Sequence, residues 1–375
     1  LPAPRHYDLF KDIEMPEPAT LFDDYAGRST LLATQEMTIA RHFGWGHDLF
    51  LRQRPADPRF LPMPNGEPQR MNPAERGAFF AAYQQENNQL ASALEDGTLD
   101  DRALTRWKYQ RYIKNYLRCV RALDENIGRM LDVLDDLGIA DDTIVMYSTD
   151  NGVHYNTWPD AGITPFRSEK NTNWDGGWRV PAFLRWPKHI PAGSVVNGIV
   201  SHQDMLPTFL SAAGEPDIKE KLLKGYKVGK MTYKVHLDGF DMLPYLTGKT
   251  KESPRNSFFY ISDDGDILAI RMQDWKVVLM EQRAKTLQCW FEPFVKLRAP
   301  KIFNLRRDPF ERADEYSNTY WDRVISHAYI IYGMQAAVAG QIENFKKFPP
   351  RQKPASFNLD AVMRTLEEST SSANH

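Results

Sequence analysis

No stretch of about 18 uncharged apolar residues occurs in the 375-residue chain, so the sequence predicts no membrane-spanning helix. Cysteine is nearly absent. Cys119 and Cys289 are the only two, too few for a disulfide framework or a cysteine-based zinc site. Cys119 falls within a helical pattern and reads as a small buried hydrophobe. An excess of one charge sign is also lacking. The formal net charge is −2, which excludes a chain that coats nucleic acid or an anionic membrane through bulk charge. The opening residues Leu1-Pro2-Ala3-Pro4-Arg5 include neither an initiator Met nor an apolar signal core. The chain reads as entered in mid-domain, which leaves its compartment open. What is present is 42% hydrophobic and 12% aromatic, enough for one large domain with a smaller companion.

The first 70 residues are irregular in pattern, punctuated by Pro16, Pro18, Pro55, Pro58, Pro62, Pro64 and Pro68, with a short helix expected within 22–43. Asn72-Pro73-Ala74-Glu75 then combines an N-cap, a first-turn proline and an acidic third position, the start of a helix. Phe79, Phe80, Tyr83, Leu90 and Leu94 are expected on its inner face. The clearest helix is predicted over 103–137. Ile113, Leu117, Val120, Leu123, Ile127, Met130 and Leu134 recur at three- and four-residue spacings, and Gly138 ends it. The apolar run 143–148 reads as a buried strand, so helix, short loop and strand form the unit of an α/β sheet covered on both faces. Residues 180–186 and 195–200 are further strand candidates, and 203–213 a short helix. Beyond residue 238 the pattern changes to short strands at 257–261, 266–271 and 275–280 with tight turns such as Asp263-Asp264-Gly265, an antiparallel sheet. Helical sequence follows over 320–345, then a polar tail expected to fray.

Three places carry candidate chemistry. Asp150-Asn151-Gly152 lies at the carboxyl end of the 143–149 strand, where ligands gather in open α/β sheets. A carboxylate beside an amide oxygen, with a glycine allowing a sharp turn, suits a hard divalent cation such as calcium; a plain turn is the alternative. Lys170 precedes Trp174-Asp175-Gly176-Gly177-Trp178-Arg179, where adjacent glycines permit close backbone approach. A lysine there is placed to neutralise charge building on a leaving group, or is a solvated side chain. His202-Gln203-Asp204 either binds metal or, as helix caps usually do, has Asp204 capping the next helix with His202 packed beside it.

Taken together, Tyr147-Ser148-Thr149-Asp150-Asn151-Gly152, the loop through Lys170, Trp174 to Pro181 and His202-x-Asp204-x-x-Pro207-Thr208 resemble the sulfatase family. So does Ile302-Phe303-Asn304-Leu305-x-x-Asp308-Pro309-x-Glu311. From about residue 140 to 365 the resemblance is to arylsulfatases. Residues 1–138, through the segment from Phe22 to Arg28 and Trp107-Lys108-Tyr109-Gln110-Arg111-Tyr112, look more like the branch acting on glycosaminoglycan or N-acetylglucosamine-6-sulfate substrates. The resemblance implies an alkaline-phosphatase-like α/β fold, a mixed sheet sandwiched by helices and here truncated, over residues 1–237. A smaller α+β domain with an antiparallel sheet is expected over 238–375. It also implies one calcium ion, with Asp150 and Asn151 matching two of its ligands, and a small-molecule or carbohydrate sulfate ester as substrate. Lys170 matches a sulfate-clamping catalytic lysine. The implied location is periplasmic or extracellular, with no nucleic-acid partner.

In such enzymes a hydrated formylglycine, made from Cys or Ser in a Cys/Ser-x-Pro/Ala-x-Arg motif, attacks sulfur in line. The alcohol departs with general-acid help, and a base then releases sulfate. Neither Cys119-Val120-Arg121 nor Cys289-Trp290-Phe291 fits that motif, and no serine does. The chain is therefore expected to be inactive alone, with an incomplete metal site. Two other readings compete. A two-metal phosphodiesterase or phosphatase of the same superfold would carry an Asp-His pair where Asp150-Asn151 stands. A non-catalytic, degenerate sulfatase-like protein accounts for the missing motif but not for the intact Asp150, Asn151 and Lys170. Trp158, Trp174 and Trp178 are candidates for stacking on a sugar or aryl ring, or for packing.

Overall fold

The computed structural model describes residues 1–28, 34, 38–45, 48–51, 70–155 and 164–349. The chain divides into two compact units, one drawn from residues 1–143 and the other from 144–154 together with residues from 164 onward. The boundary expected at 237/238 falls inside the second unit. Trp158, the prolines between 55 and 68 and the tail beyond 349 lie outside the described residues, as does part of the expected 22–43 helix.

In the first unit, helix α1 (Pro73–Glu95) opens on the predicted capping box. The Asn72 side chain accepts from Glu75 N, and the Glu75 carboxylate accepts from Asn72 N. Phe79, Tyr83 and Leu90 are its buried face, while Phe80 and Leu94 are only half-buried. Helix α2 (Asp101–Asp136) is capped by Asp100. Its buried face is not the predicted apolar seam. Leu104, Thr105, Lys108, Tyr109, Arg111, Asn115 and Arg118 are buried, whereas Val120, Leu123 and Met130 are exposed. The reason lies in the irregular segment before it, whose backbone groups need partners. Lys108 Nζ donates to Ala40 O (2.6 Å), Tyr109 Oη to Pro16 O (2.7 Å) and Arg111 Nε to Leu49 O (3.1 Å). Gln110 both accepts from Met15 N and donates to Met15 O. The segment 108–111 is thus a row of clamps that holds loop backbone on the helix.

The second unit contains a two-stranded antiparallel ribbon, β1 (Val145–Ser148) with β2 (Ala182–Arg185). The expected strand is present but is not buried on both faces. Val145 and Met146 are half-buried, Tyr147 and Phe183 exposed, and among the described residues no strand pairs with the other edge of β1. Residues 195–200 form no strand; with no ladder partner, Val195, Val196 and Val200 stay exposed. A hairpin of β3 (Tyr226–Val228) and β4 (Met231–Tyr233) was not legible in the pattern. The four-stranded antiparallel sheet has the order β5 (Ser257–Ile261), β6 (Ile267–Met272), β7 (Trp275–Glu281) and β8 (Val295–Asn304). Its core joins Ile270 and Val277 to Ile330 and Met334 of helix Ala328–Lys347. Phe303 packs on Trp174, ring centroids 5.7 Å apart.

Candidate active site

Three backbone segments meet where the sequence placed its candidates. Gly152 N donates to Gly177 O (3.0 Å), Lys170 N to Val153 O (2.8 Å) and Gly176 N to Arg167 O (2.8 Å). The glycines are what allow the approach. A Cβ on Gly152 would lie 1.8 Å from Gly176 O, and one on Gly176 would lie 2.0 Å from Ser168 O. Asp150, Asn151 and Lys170 are therefore carried on loops locked to one another through residues 175–178. Ser168 (φ 60°) and Asn171 (φ 65°) flank Glu169-Lys170 in the left-handed region, a strain that persists only where surroundings impose it. Arg167 braces the same loop. Its guanidinium lies 3.6 Å from the Trp174 ring centroid and donates to Glu311 O and Asp314 Oδ1, both at 2.7 Å.

Asp150 is exposed and Asn151 half-buried. Among the described residues no hydrogen bond or ion pair engages either side chain, and no third His, Cys, Asp or Glu joins Asp150 in a metal-binding group. Uncommitted oxygen donors suit a hard cation in kind. In number they fall short of the six to eight oxygens calcium takes, so the described residues alone could not complete such a shell.

Asp204 belongs to a separate buried network, while His202 reaches the strand that precedes Asp150. Asp204 is fully buried and accepts from Arg255 Nη2 (2.6 Å) and Nε (2.8 Å), from Phe240 N and from Ser201 N. It closes the turn before helix Met205–Ala212 but makes no side-chain cap on that helix. His202 Nε2 lies 2.9 Å from Ser148 Oγ at the end of β1. Trp174 is buried and Trp178 half-buried against Tyr260 and Phe258, so both pack.

What the sequence did not disclose is the charge network beneath the loops. Lys276, fully buried in β7, lies 3.1 Å from Asp175 Oδ1 and 2.7 Å from Glu311 Oε1, the latter an ion pair off the line of a hydrogen bond. It also donates to Asn173 O (2.8 Å). Asp175 N donates to Glu311 Oε2 (2.7 Å), and Tyr260 Oη donates to Asp175 Oδ1 (2.9 Å). Two buried carboxylates share one lysine. Burial pushes the Glu311 carboxyl up to about 7, against the pull of Lys276 and with the repulsion of Asp175. Burial acts on Asp175 in the same sense, but Lys276, Arg179 and the Tyr260 hydroxyl outweigh it and hold that carboxyl below its ordinary range. A second missed pair is His154 and fully buried Glu169, Nδ1 to Oε2 3.1 Å, whose only sequence signal is adjacency to the Asp150 and Lys170 motifs.

The family model described as Sulfatase matches residues 49–215. Over 217 residues the chain is 36% identical to N-acetylglucosamine-6-O-sulfatase of Bacteroides thetaiotaomicron, covering 57% of this chain and 37% of that protein. It is 30% identical to human arylsulfatase A over 201 residues, covering 50% of this chain and 36% of that one. The solved structure of BT4656 in complex with its substrate D-glucosamine-2-N,6-O-disulfate matches with a TM-score of 0.55 at 26% identity, over 89% of this chain and 62% of that chain. These matches support the sulfatase family, and the likeness to the solved structure supports its alkaline-phosphatase-like fold, with an antiparallel sheet in the carboxyl-terminal part. It spans little more than a third of the length of these two curated relatives.

Proposed function

We propose that the protein hydrolyses sulfate esters and that its substrates are carbohydrate sulfates rather than aryl sulfates. The observation that carries this is the glycine-locked junction that sets Lys170 and the uncommitted Asp150 and Asn151 oxygens on adjoining loops within a chain that the Sulfatase family model matches. The sugar preference is supported by the N-acetylglucosamine-6-O-sulfatase relative and by BT4656, whose substrate is a sulfated glucosamine.

In this reading Lys170 neutralises a sulfate oxygen and stabilises charge that grows as the ester bond breaks. Asp150 and Asn151 supply two ligands to a calcium ion, whose chemistry when bound is to polarise the sulfate group. The buried Asp175–Lys276–Glu311 network keeps the loops in register so that these groups need no reorganisation. Cys289 is poorly suited to act as a nucleophile. It is buried, and burial pushes its thiol up to about 11, far from the thiolate that reacts. A formylglycine generated in a motif outside these 375 residues fits the family's chemistry, and a periplasmic or extracellular location follows from the same resemblance.

Sulfate release from N-acetylglucosamine 6-sulfate by the full-length protein tests the reading. Turnover should fall on calcium chelation, and Asp150→Ala should reproduce the loss. Hydrolysis indifferent to both, or absent with every sugar sulfate tried, would refute it.

A further inference from the structure

Between β7 and β8 the chain makes a short excursion, residues 282–292, that is pinned at many points yet turns its largest apolar side chains outward. Gln282 N donates to Asn173 Oδ1 (2.9 Å), and Gln282 Nε2 donates to Glu292 O (2.7 Å), closing the base of the loop. Ala284 N donates to Gln282 Oε1 (2.9 Å), and the buried Cys289 thiol donates to Ala284 O (3.1 Å). Thr286 N donates to Glu169 Oε1 (2.8 Å), which ties the loop directly to the residue before Lys170. Thr286 itself sits in the left-handed region at φ 57°. A loop so fixed has its side-chain directions set by the fold. What it presents is Trp290, 54% exposed, and Phe291, 83% exposed. The Lys170 ammonium lies 5.2 Å from the Trp290 ring centroid.

Leaving much of an indole in water forgoes the gain of burying it, and a loop with this many anchors has no conformational need for that. A large aromatic beside a cation, at the rim of a site, fits a ligand with one apolar face and one anionic substituent. A pyranose offers such a face in its axial C–H groups, and a sulfate ester on that ring offers the anion. Exposed Lys285 adds positive charge to the loop, against the exposed acid Glu292, while Arg283 is paired to Glu281 (2.8 Å). We infer that residues 284–292 form a sugar-binding shelf of the sulfate site: a sulfated pyranose stacks on Trp290, with Phe291 as a second wall, while Lys170 leaves the indole to hold the sulfate. This rests on the sulfate-ester reading above and adds to it the residues that select a carbohydrate. Trp290 is a specificity residue in this account and takes no part in bond breaking.

Calorimetric titration of the full-length protein with N-acetylglucosamine 6-sulfate, and separately with inorganic sulfate, tests it in the parent and in Trp290→Ala, Trp290→Phe and Lys170→Ala. Loss of one stacking partner should weaken the sugar sulfate about tenfold in Trp290→Ala, with Trp290→Phe near the parent and inorganic sulfate unchanged in both. Melting temperatures should be equal, since the indole is exposed. Unchanged sugar-sulfate affinity in Trp290→Ala overturns the shelf, while weakened binding in Lys170→Ala would still leave the sulfate reading standing. Equal losses for sugar sulfate and inorganic sulfate in Trp290→Ala also overturn it, because the indole would then act only by positioning Lys170. A parent that dimerises through this loop, with Trp290→Ala monomeric, overturns it in favour of a second copy. Failure of both ligands to bind the parent removes the sulfate reading and the shelf together.

Discussion

Lys276→Met replaces the one cation that faces two buried carboxylates with an apolar chain of similar length. At pH 8 the parent holds Asp175 ionised and Glu311 largely so, and the substitution strands both charges beside Trp174. Breaking a buried pair by removing one partner costs about 3–5 kcal/mol. Arg179, 3.3 Å from Asp175 Oδ2, offsets part of this for Asp175, so the lower end is expected. In acid the cost shrinks, because Glu311 takes up a proton and no longer needs the lysine. The parent's own pH dependence has a defined sign. Glu311 titrates higher in the folded chain, about 7, than its ordinary 4.5, so its contribution is full below about 4.5 and is lost as pH rises toward 7. Asp175 is lowered from 3.8, so its contribution is present above about 3.8 and is lost as pH falls through the lowered value. Thermal melts of parent and Lys276→Met at pH 5 and pH 8 provide the assay. For a domain of this size 1 kcal/mol moves Tm by about 2–4 °C, so a gap of roughly 6–12 °C at pH 8 should narrow clearly at pH 5. Equal gaps at both pH values, or none at pH 8, would refute the shared-lysine account.

Glu311→Gln should keep the parent's Tm near pH 5 and flatten its decline toward pH 7, since the residue that titrates there is gone; a parent-like slope in differential scanning calorimetry would contradict this. Gly152→Ala should destabilise by about 1–3 kcal/mol or more and abolish turnover in the full-length protein, because its Cβ meets the Gly176 carbonyl. Parent-like melting and activity would show that the junction yields. Arg255→Met should cost about 3–5 kcal/mol in denaturant unfolding by leaving buried Asp204 unpaired; a loss under 1 kcal/mol would mean that Asp204 is neutral or solvated. The 375-residue chain alone should show only background release from p-nitrophenyl sulfate with calcium, since clamps without a nucleophile form no covalent intermediate. Turnover surviving mutation of both cysteines would overturn that expectation.

Local signals carried a good part of this structure. The Asn72-to-Glu75 cap and the strands at 257–261 and from Trp275 onward each follow from spacing within a few residues. What stayed hidden depends on partners far along the chain. Lys276 between Trp275 and Val277 reads as the polar side of an alternating strand, yet the loop 173–175 and Glu311 bury it completely. The seam of α2 misled for the opposite reason. Periodicity shows which face is apolar, not whether anything covers it, and the loop backbone recruited Lys108, Gln110 and Arg111 instead. Trp290 drew no notice because its neighbour Lys170 is 120 positions away.

The most direct measurement of the central claim is sulfate release from N-acetylglucosamine 6-sulfate by the full-length protein and its Lys170→Ala variant, with thermal melts alongside. Lys170 stands on a braced loop and contributes little to the core, while one charge-stabilising donor supplies on the order of 10²–10³ in rate. The account predicts a fall of that size with an unchanged Tm. Equal turnover in the two proteins would return Lys170 to the solvated surface and contradict the site described above.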